Sequence, residues 1–479
     1  MIDGLEEIIG TARRRGVIAP PVLSVLAAQN ARWGPSARRQ AHLDALGRGA
    51  VVVVTGQQLG LFLGPLYTIY KAASAVRLAK ALEAEGVAAV PVFWLQSEDH
   101  DWDEIRTTRW LGADGPREAS LPQRPPSRAR SSIAHERVGE GIEPVLEALG
   151  RDLREDEEGA AFFAQLSAHY RPDATLADAF GGLLASLFEP YGLLTFSPRD
   201  AALAPLAAPI HRRAIEDHEQ LAAASIERAA QLEAAGKRAP IPIRADCALS
   251  FFHPSGPEGG RYRLMPGGAT FGLSGAPESF DRAEVFRRLE EAPLELSTSA
   301  LLRPVLQDHL LPTAAYVGGP TEVAYAAQLA PIYARFEIAM APFVRRASFV
   351  VTSPRDRDAL DALGLTLDDL GADETTLVQR LGRGPISDEL EQLAASVRTG
   401  LEGMRGALEQ LDPGLGKTAT KSEATIEHAL GKLQARAERA AAARHPERLE
   451  TLRRTLAALR PGGAPQERVY GLAAVATRG

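Results

Sequence analysis

Glu98-Asp99-His100-Asp101 sets three carboxylates beside an imidazole in four consecutive positions. Such a group can act as a general base, clamp a substrate amine or hold Mg²⁺. It can also simply start a helix, where acidic side chains meet the positive end of the dipole. On an extended chain, alternation would send Glu98 and His100 to one side and Asp99 and Asp101 to the other. A second stretch runs from Thr55-Gly56-Gln57-Gln58 through Gly60 and Gly64-Pro65-Leu66-Tyr67 to Lys71. The amides of Gln57 and Gln58 suit hydrogen bonds to a ligand. Tyr67 and Lys71, four apart, share a helix face. Plainer readings stand beside these: close backbone packing for Gly56, Gly60 and Gly64, and a solvated helix charge for Lys71. Val317-Gly318-Gly319-Pro320, with Glu322 and Tyr325 after it, repeats the pattern of glycine turn, proline and helix. Arg303, near Gln307-Asp308, is either a salt-bridge partner or a carboxylate-binding guanidinium. Cys247 reads as core.

These residues need a scaffold, and its strands are legible. Val51-Val52-Val53-Val54 has no polar face, so it reads as a strand covered on both sides. Pro65 is expected to open the next helix. Leu66, Ile69, Ala73 and Val76 would form its apolar face, and the helix would run to about Gly86. Val90-Pro91-Val92-Phe93-Trp94-Leu95 is a second apolar run. Strand, helix, strand makes a βαβ unit with a parallel pair. Ligands in such sheets bind beyond the carboxyl ends of the strands. Both polar clusters fall at that edge. The turn matches neither Gly-x-Gly-x-x-Gly nor the P-loop, and reads instead as one wall of a two-substrate pocket.

The rest of the chain reads as follows. Residues 1–48 form a helical lead-in broken at Pro20-Pro21 and Gly34-Pro35. Residues 115–132 are a loop, residues 140–190 helical, and 192–196 a strand. One alanine-rich helix covers about 200–235, and short strands with glycine turns fill 241–275 beside the main sheet. Ala347-Ser348-Phe349-Val350-Val351 reads as a further strand. Apolar residues from Ile386 to Leu411 recur in threes and fours, which is coiled-coil spacing. Asp412-Pro413-Gly414 breaks that helix, and a second helix carries the pattern from Ile426 to Leu459. Two such helices form an antiparallel hairpin, either packed on its own chain or used for dimerisation. The expected organisation is therefore a parallel α/β core in two parts, 1–112 and 276–384. Connective insertions fill 113–275, a coiled-coil hairpin spans 385–460, and a tail, 461–479, returns to the core.

Composition bounds the chemistry. The chain has 479 residues, 45% hydrophobic and 24% charged, with a net charge of -7 from 54 basic and 61 acidic side chains. That balance argues against nonspecific nucleic-acid binding. One cysteine permits no internal disulfide and no cysteine-based zinc site, which fits a cytoplasmic protein with no structural metal. The first residues lack the apolar core of a signal peptide, and no apolar run reaches the roughly 18 residues of a membrane span.

Several motifs together resemble the cysteine ligase family of bacillithiol biosynthesis. They are Thr55-Gly56-Gln57-Gln58, Gly64-Pro65-Leu66-Tyr67-Thr68, Pro91-Val92-Phe93-Trp94 with Glu98-Asp99-His100-Asp101, Leu302-Arg303-Pro304, Leu310-Leu311-Pro312-Thr313, Val317-Gly318-Gly319-Pro320, Glu322 with Tyr325, and Pro461-Gly462-Gly463 with Gln466-Glu467-Arg468. The matches run in order over most of the chain. The resemblance implies an α/β fold: a Rossmann-like parallel-sheet core, connective insertions and a C-terminal antiparallel coiled-coil hairpin that dimerises. It implies a ligase adding L-cysteine to glucosaminyl-malate by amide-bond formation, with ATP or another nucleotide as the natural energy source for such a fold. Glu98, Asp99, His100 and Asp101 would then orient or deprotonate the attacking amine. Gly56, Gln57, Gln58, Gly64, Tyr67 and Lys71 would line the nucleotide or carboxylate pocket, with Arg303, Gly318, Gly319, Glu322 and Tyr325 opposite. A non-catalytic nucleotide-binding scaffold working through its coiled coil is the alternative reading.

Overall fold

The computed structural model describes residues 4–154 and 156–477. Three helices open the chain: α1 (Leu5–Ala12), α2 (Pro20–Ala31) and α3 (Ala37–Gly47). Pro20 starts α2 rather than merely breaking a helix, because its fixed φ suits the first turn. The valine run becomes β1 (Val51–Gln57), followed by α4 (Tyr67–Ala84) and β2 (Ala89–Leu95). β1 and β2 pair in parallel from Val51↔Ala89 to Gln57↔Leu95, so both glycine turn and acidic cluster leave the same sheet edge. Pro65 does not open α4: it forms a bridge with Gly471, and the helix starts two residues later. The buried stripe of α4 also differs from the expected one. Val76 is buried as expected, but the stripe also carries Thr68, Tyr70, Lys71, Ala72, Ala75, Leu78, Ala79 and Leu82, while Ala73 faces solvent.

A short α5 (Trp102–Ile105) follows, then β3 (Thr107–Gly112) and β4 (Gly115–Ser120), where a loop was expected. Helices α6 (Ile142–Leu153), α7 (Glu157–His169) and α8 (Leu176–Leu187) lead to β5 (Leu194–Phe196), which adds to β2 in parallel. The alanine-rich stretch is two helices, α9 (Ala204–Glu216) and α10 (His218–Ala234), parted at Asp217. Strands β6 (Ser250–Phe252), β7 (Tyr262–Gly267), β8 (Thr270–Leu273) and β9 (Ala276–Asp281) precede α11 (Arg282–Glu291) and β10 (Leu296–Thr298). These five strands form a separate antiparallel sheet, ordered β10-β6-β7-β8-β9, around Phe252, Leu264, Phe271 and Leu296.

The chain returns to the parallel sheet through α12 (Arg303–Leu310), β11 (Thr313–Gly318), α13 (Pro320–Ala326), α14 (Ala330–Phe336) and β12 (Phe343–Arg345). Sheet order is β12-β11-β1-β2-β5. Alternation within the valine run divides two cores: Val52 and Val54 pack with Trp94 and the α2, α9 and α12 side chains, whereas Val51 and Val53 pack with Ala75, Leu78 and Ile8. A strand buried on both faces keeps no polar side.

The residues up to Ala113, Arg117–Phe349 and those from Tyr470 on form one compact unit; Asp114–Pro116 and Val350–Val469 form a second. The second unit holds α15 (Pro354–Leu363), α16 (Glu374–Leu381), α17 (Pro385–Leu411), α18 (Pro413–Ala442), α19 (Pro446–Leu459) and α20 (Gln466–Val469); α21 (Ala473–Ala476) belongs to the first. α17 and α18 pack along their length as the hairpin. The second periodic segment is not one helix. Pro446 cannot continue a helix and opens α19, which packs on α15 instead. Ala347–Val351 is not a strand either: the edge strand is β12, and both backbone polar groups of Val351 bond to the side-chain amide of Gln466. No helix among the described residues is long and apolar enough to cross a membrane.

Candidate functional site

The carboxyl ends of β11, β1 and β2 lie side by side, with β1 central. The turn after β1 is an apolar plug rather than an open loop. Leu59, Gly60, Leu61, Phe62, Leu63 and Gly64 are all buried. Three of its backbone amides are taken by protein acceptors: Gly60 N donates to Gln58 O, Leu63 N to Tyr170 Oη, and Gly64 N to Leu61 O. The glycines answer to packing. A Cβ on Gly56 would stand 2.8 Å from Trp94 O, and one on Gly60 would stand 2.8 Å from Gly64 Cα. Gly64 also needs its φ of +66°. At the second turn Gly319 N donates to Glu322 Oε2 at 2.8 Å, and a Cβ on Gly318 would meet Glu322 Cβ at 2.9 Å. Gly60 N, Leu63 N, Gly64 N and Gly319 N are thus taken by acceptors within the protein rather than held out to a phosphate.

On the β11 side of β1 lies a buried ionic network. Lys71 is 3% exposed, so it is no solvated helix charge. Its Nζ donates to Gly56 O at 2.9 Å and Gln57 Oε1 at 2.8 Å, and it pairs with the carboxylate of Glu322. Tyr316 Oη donates to the other oxygen of Glu322 at 2.6 Å. Gln57 Nε2 reaches Tyr67 Oη at 3.2 Å. Burial pushes the Lys71 ammonium below its ordinary value, and Glu322 restores only part of that. For Glu322, burial acts upward, but Lys71, Tyr316 and the Gly319 amide together outweigh it and hold the carboxyl below the usual range. Arg303 is buried beside this network, donating to Tyr325 Oη at 3.2 Å and lying over the Tyr316 ring. Gln57, Tyr67, Lys71, Gly318, Gly319, Glu322, Arg303 and Tyr325 thus meet as one internally satisfied cluster.

On the β2 side lies a cavity of about 390 Å³. Gln58, Asp99, His100 and Asp101 line it, with Trp102, Asp103, Glu104, Gln123, Arg124 and Ala129. Asp101 caps α5, its carboxylate accepting from Glu104 N at 3.2 Å, so the plain helix-start reading holds for this residue. The cap projects Trp102 and Glu104 from a helix too short to stand alone. Gln58 Nε2 bridges Asp99 and Glu104, 2.7 Å from each carboxylate. Asp99 Oδ1 accepts from His100 N at 2.7 Å, lies 3.6 Å from His100 Nδ1 and is 3.5 Å from Arg261 Nη1. Burial alone would raise the Asp99 carboxyl. His100, Arg261 and Gln58 together outweigh it and hold the group well below the usual carboxylate range. Glu104 moves the other way, raised by burial and by Asp101 and Asp99, with Gln58 opposing. Arg261 is buried under Phe251, and desolvation pushes it down to about 10.

Glu98 does not line this cavity. It is buried, and its carboxylate accepts from the backbone N of Thr298 at 3.2 Å and from the Thr298 hydroxyl. It therefore ties the end of β2 to β10. The simple alternation of an extended chain fails because residues 97–101 turn, with Ser97 N bonded to Leu95 O. Trp102, Asp103 and Glu104 were within reach of the sequence, since Asp101-x-x-Glu104 is a helix start continuing the acidic cluster. Arg124 sits in a stretch read only as loop, and Arg261 in a block read only as strand. Nothing local marks either as a neighbour of Asp99. Among the described residues no group of three or more His, Cys, Asp or Glu is placed to hold a metal ion.

Comparison with known sequences places both units. Residues 9–347 match the family described as Bacillithiol biosynthesis BshC, N-terminal Rossmann-like domain, and residues 349–478 match its C-terminal coiled-coil domain. Relatives named "Putative cysteine ligase BshC" include one from Koribacter versatilis, 34% identical over 94% of this chain and 84% of its own length. Others come from Salinibacter ruber, 32% identical over 96% and 83%, and Geobacillus kaustophilus, 30% identical over 93% and 83%.

Proposed function

Because this chain belongs to the BshC family of bacillithiol biosynthesis, we propose that it is a ligase joining the carboxyl of L-cysteine to the amine of glucosaminyl-malate. One observation carries the assignment of roles: Asp99 is kept ionised against His100 at the wall of the cavity. An amine attacks only as the neutral base, so the site must hold a proton acceptor beside it. Asp99 Oδ1 stands 3.6 Å from His100 Nδ1 and acts on the imidazole through its charge, and Nε2 is the ring nitrogen assigned to take the proton. The nitrogen then bonds to the cysteine carboxyl carbon as the bond to one carboxyl oxygen breaks, and that oxygen leaves as water with the two protons the ammonium gives up, one of them passed through His100. Glu98, Arg261 and Gln58 hold Asp99 and its loop in place. The Lys71–Glu322 network fixes the ends of α4, β1 and β11 behind the site. The single cysteine of the chain suits a reducing cytoplasm, where a thiol substrate stays reduced.

The hairpin is assigned to homodimerisation. Ile386, Leu393, Met404 and Leu411 on α17, and Ile426 and Leu433 on α18, are exposed apolar residues on a helix pair. A second copy would cover them.

The test is genetic complementation, which assumes no cofactor. A bacillithiol-producing host lacking its own ligase is supplied with this chain, and thiols and precursors are quantified by mass spectrometry. Wild type restores the cysteinyl product. Asp99→Asn and His100→Asn accumulate glucosaminyl-malate although the protein is present and folded. Full product from both variants would remove Asp99 and His100 from the chemistry.

A further inference from the structure

The cavity beside His100 is electrically two-sided. One wall is acidic: among the described residues Glu104 and Asp101 form no ion pair with a cation, and Glu104 is crowded by Asp99 and Asp101. The other wall carries Arg124. Its side chain is only 5% exposed, stacked over Trp102 with Cζ 4.5 Å from the ring centroid. Nη1 donates to Ser131 O at 2.9 Å and, more weakly, to Arg128 O at 3.4 Å. Nη2 is buried and has no hydrogen-bond acceptor. Nε lies 3.5 Å from Glu136, but Glu136 also pairs with Arg128 at 3.0 Å, so one carboxylate serves two guanidinium groups. A buried donor of a charged group without an acceptor is costly, and a carboxylate is the acceptor that fits a guanidinium fork.

We propose that Arg124 and Glu104 are the two poles of a subsite for an α-amino-acid zwitterion, Arg124 taking the carboxylate and Glu104, with Asp101, the ammonium. The proposal rests on the ligase reading above and gives it an orientation. The amino acid lies across the cavity with its carboxyl at Arg124, so the guanidinium also meets the oxygen that gains charge when the amine attacks. Trp102 keeps the guanidinium plane fixed. Arg124 is thus a binding residue that reads the reacting carboxyl, and Glu104 excludes acids that lack the amine.

The experiment is calorimetric binding to the full chain of L-cysteine, cysteamine, which lacks the carboxylate, and 3-mercaptopropionate, which lacks the amine. Wild type should prefer L-cysteine to either analogue by about tenfold or more, the discrimination of one charge-assisted hydrogen bond. Arg124→Gln should bind L-cysteine no better than cysteamine. Arg128 remains to neutralise Glu136 in that variant, and thermal melting verifies its fold. Glu104→Gln, on an exposed side chain, should lose the preference over 3-mercaptopropionate. Wild type without preference, or Arg124→Gln binding L-cysteine like wild type, overturns the subsite. The two readings fail differently. If L-serine or L-alanine binds as tightly as L-cysteine and binding depends on Arg124, the subsite stands and the cysteine assignment falls. If Arg124→Gln makes product with an unchanged KM for cysteine, the ligase reading stands and the subsite falls.

Discussion

Lys71 shows how one side chain changes meaning with its surroundings. Four residues after Tyr67 on an amphipathic helix, it carries no local mark of burial. The carbonyl of Gly56 and the carboxylate of Glu322 that enclose it come from distant segments. Lys71→Met leaves Glu322 buried beside a lost partner, which should destabilise the chain by about 3–5 kcal/mol in denaturant unfolding; adding Glu322→Gln should recover part of the loss. Asp99 makes the complementary case through pH. Its carboxyl is held below the usual range when folded, so the native state binds fewer protons than the unfolded chain. The stabilisation is present above the unfolded value, about 3.9, and lost as pH falls through the folded one. Asp99→Asn should therefore be less stable than wild type at pH 7, with the gap closing below about pH 4. Unfolding curves at several pH values measure it.

At the scale of elements, periodicity spoke clearly where both faces of a segment are covered. Val51–Val54 and Val90–Leu95 had to be buried strands, and a helix between them had to make the pair parallel. The hairpin was equally plain from its spacing. What periodicity could not show was the choice among short apolar runs. Ala347–Val351 has strand composition, yet the Gln466 amide, not a neighbouring strand, takes the backbone of Val351. The glycine spacing was visible, but only the close approach of Trp94 O and Gly64 Cα separates packing from anion binding. The acidic cluster hid a division of labour, with Glu98 as a tie, Asp99 as an anchor and Asp101 as a cap. Asp101→Ala removes the cap of a single-turn helix and should cost about 1 kcal/mol of stability. Because α5 carries Trp102 and Glu104, the same change should raise KM for cysteine more than it lowers kcat, which steady-state kinetics resolves.

For the whole molecule, two compact units divide the work. The unit with the parallel sheet carries the cavity, and the unit with α17 and α18 carries exposed apolar residues. The proposed homodimer predicts a dimer for wild type in sedimentation velocity and a monomer for Leu393→Glu with Leu433→Glu, with the melting of the sheet unit retained. The central claim is that Asp99 and His100 serve amide formation between cysteine and an amino sugar. The most direct measurement is the ratio of cysteinyl product to glucosaminyl-malate in the complemented host. Wild type should give product with little precursor. Asp99→Asn and His100→Asn should give precursor with little product at equal protein level. Equal ratios in all three strains would contradict the account.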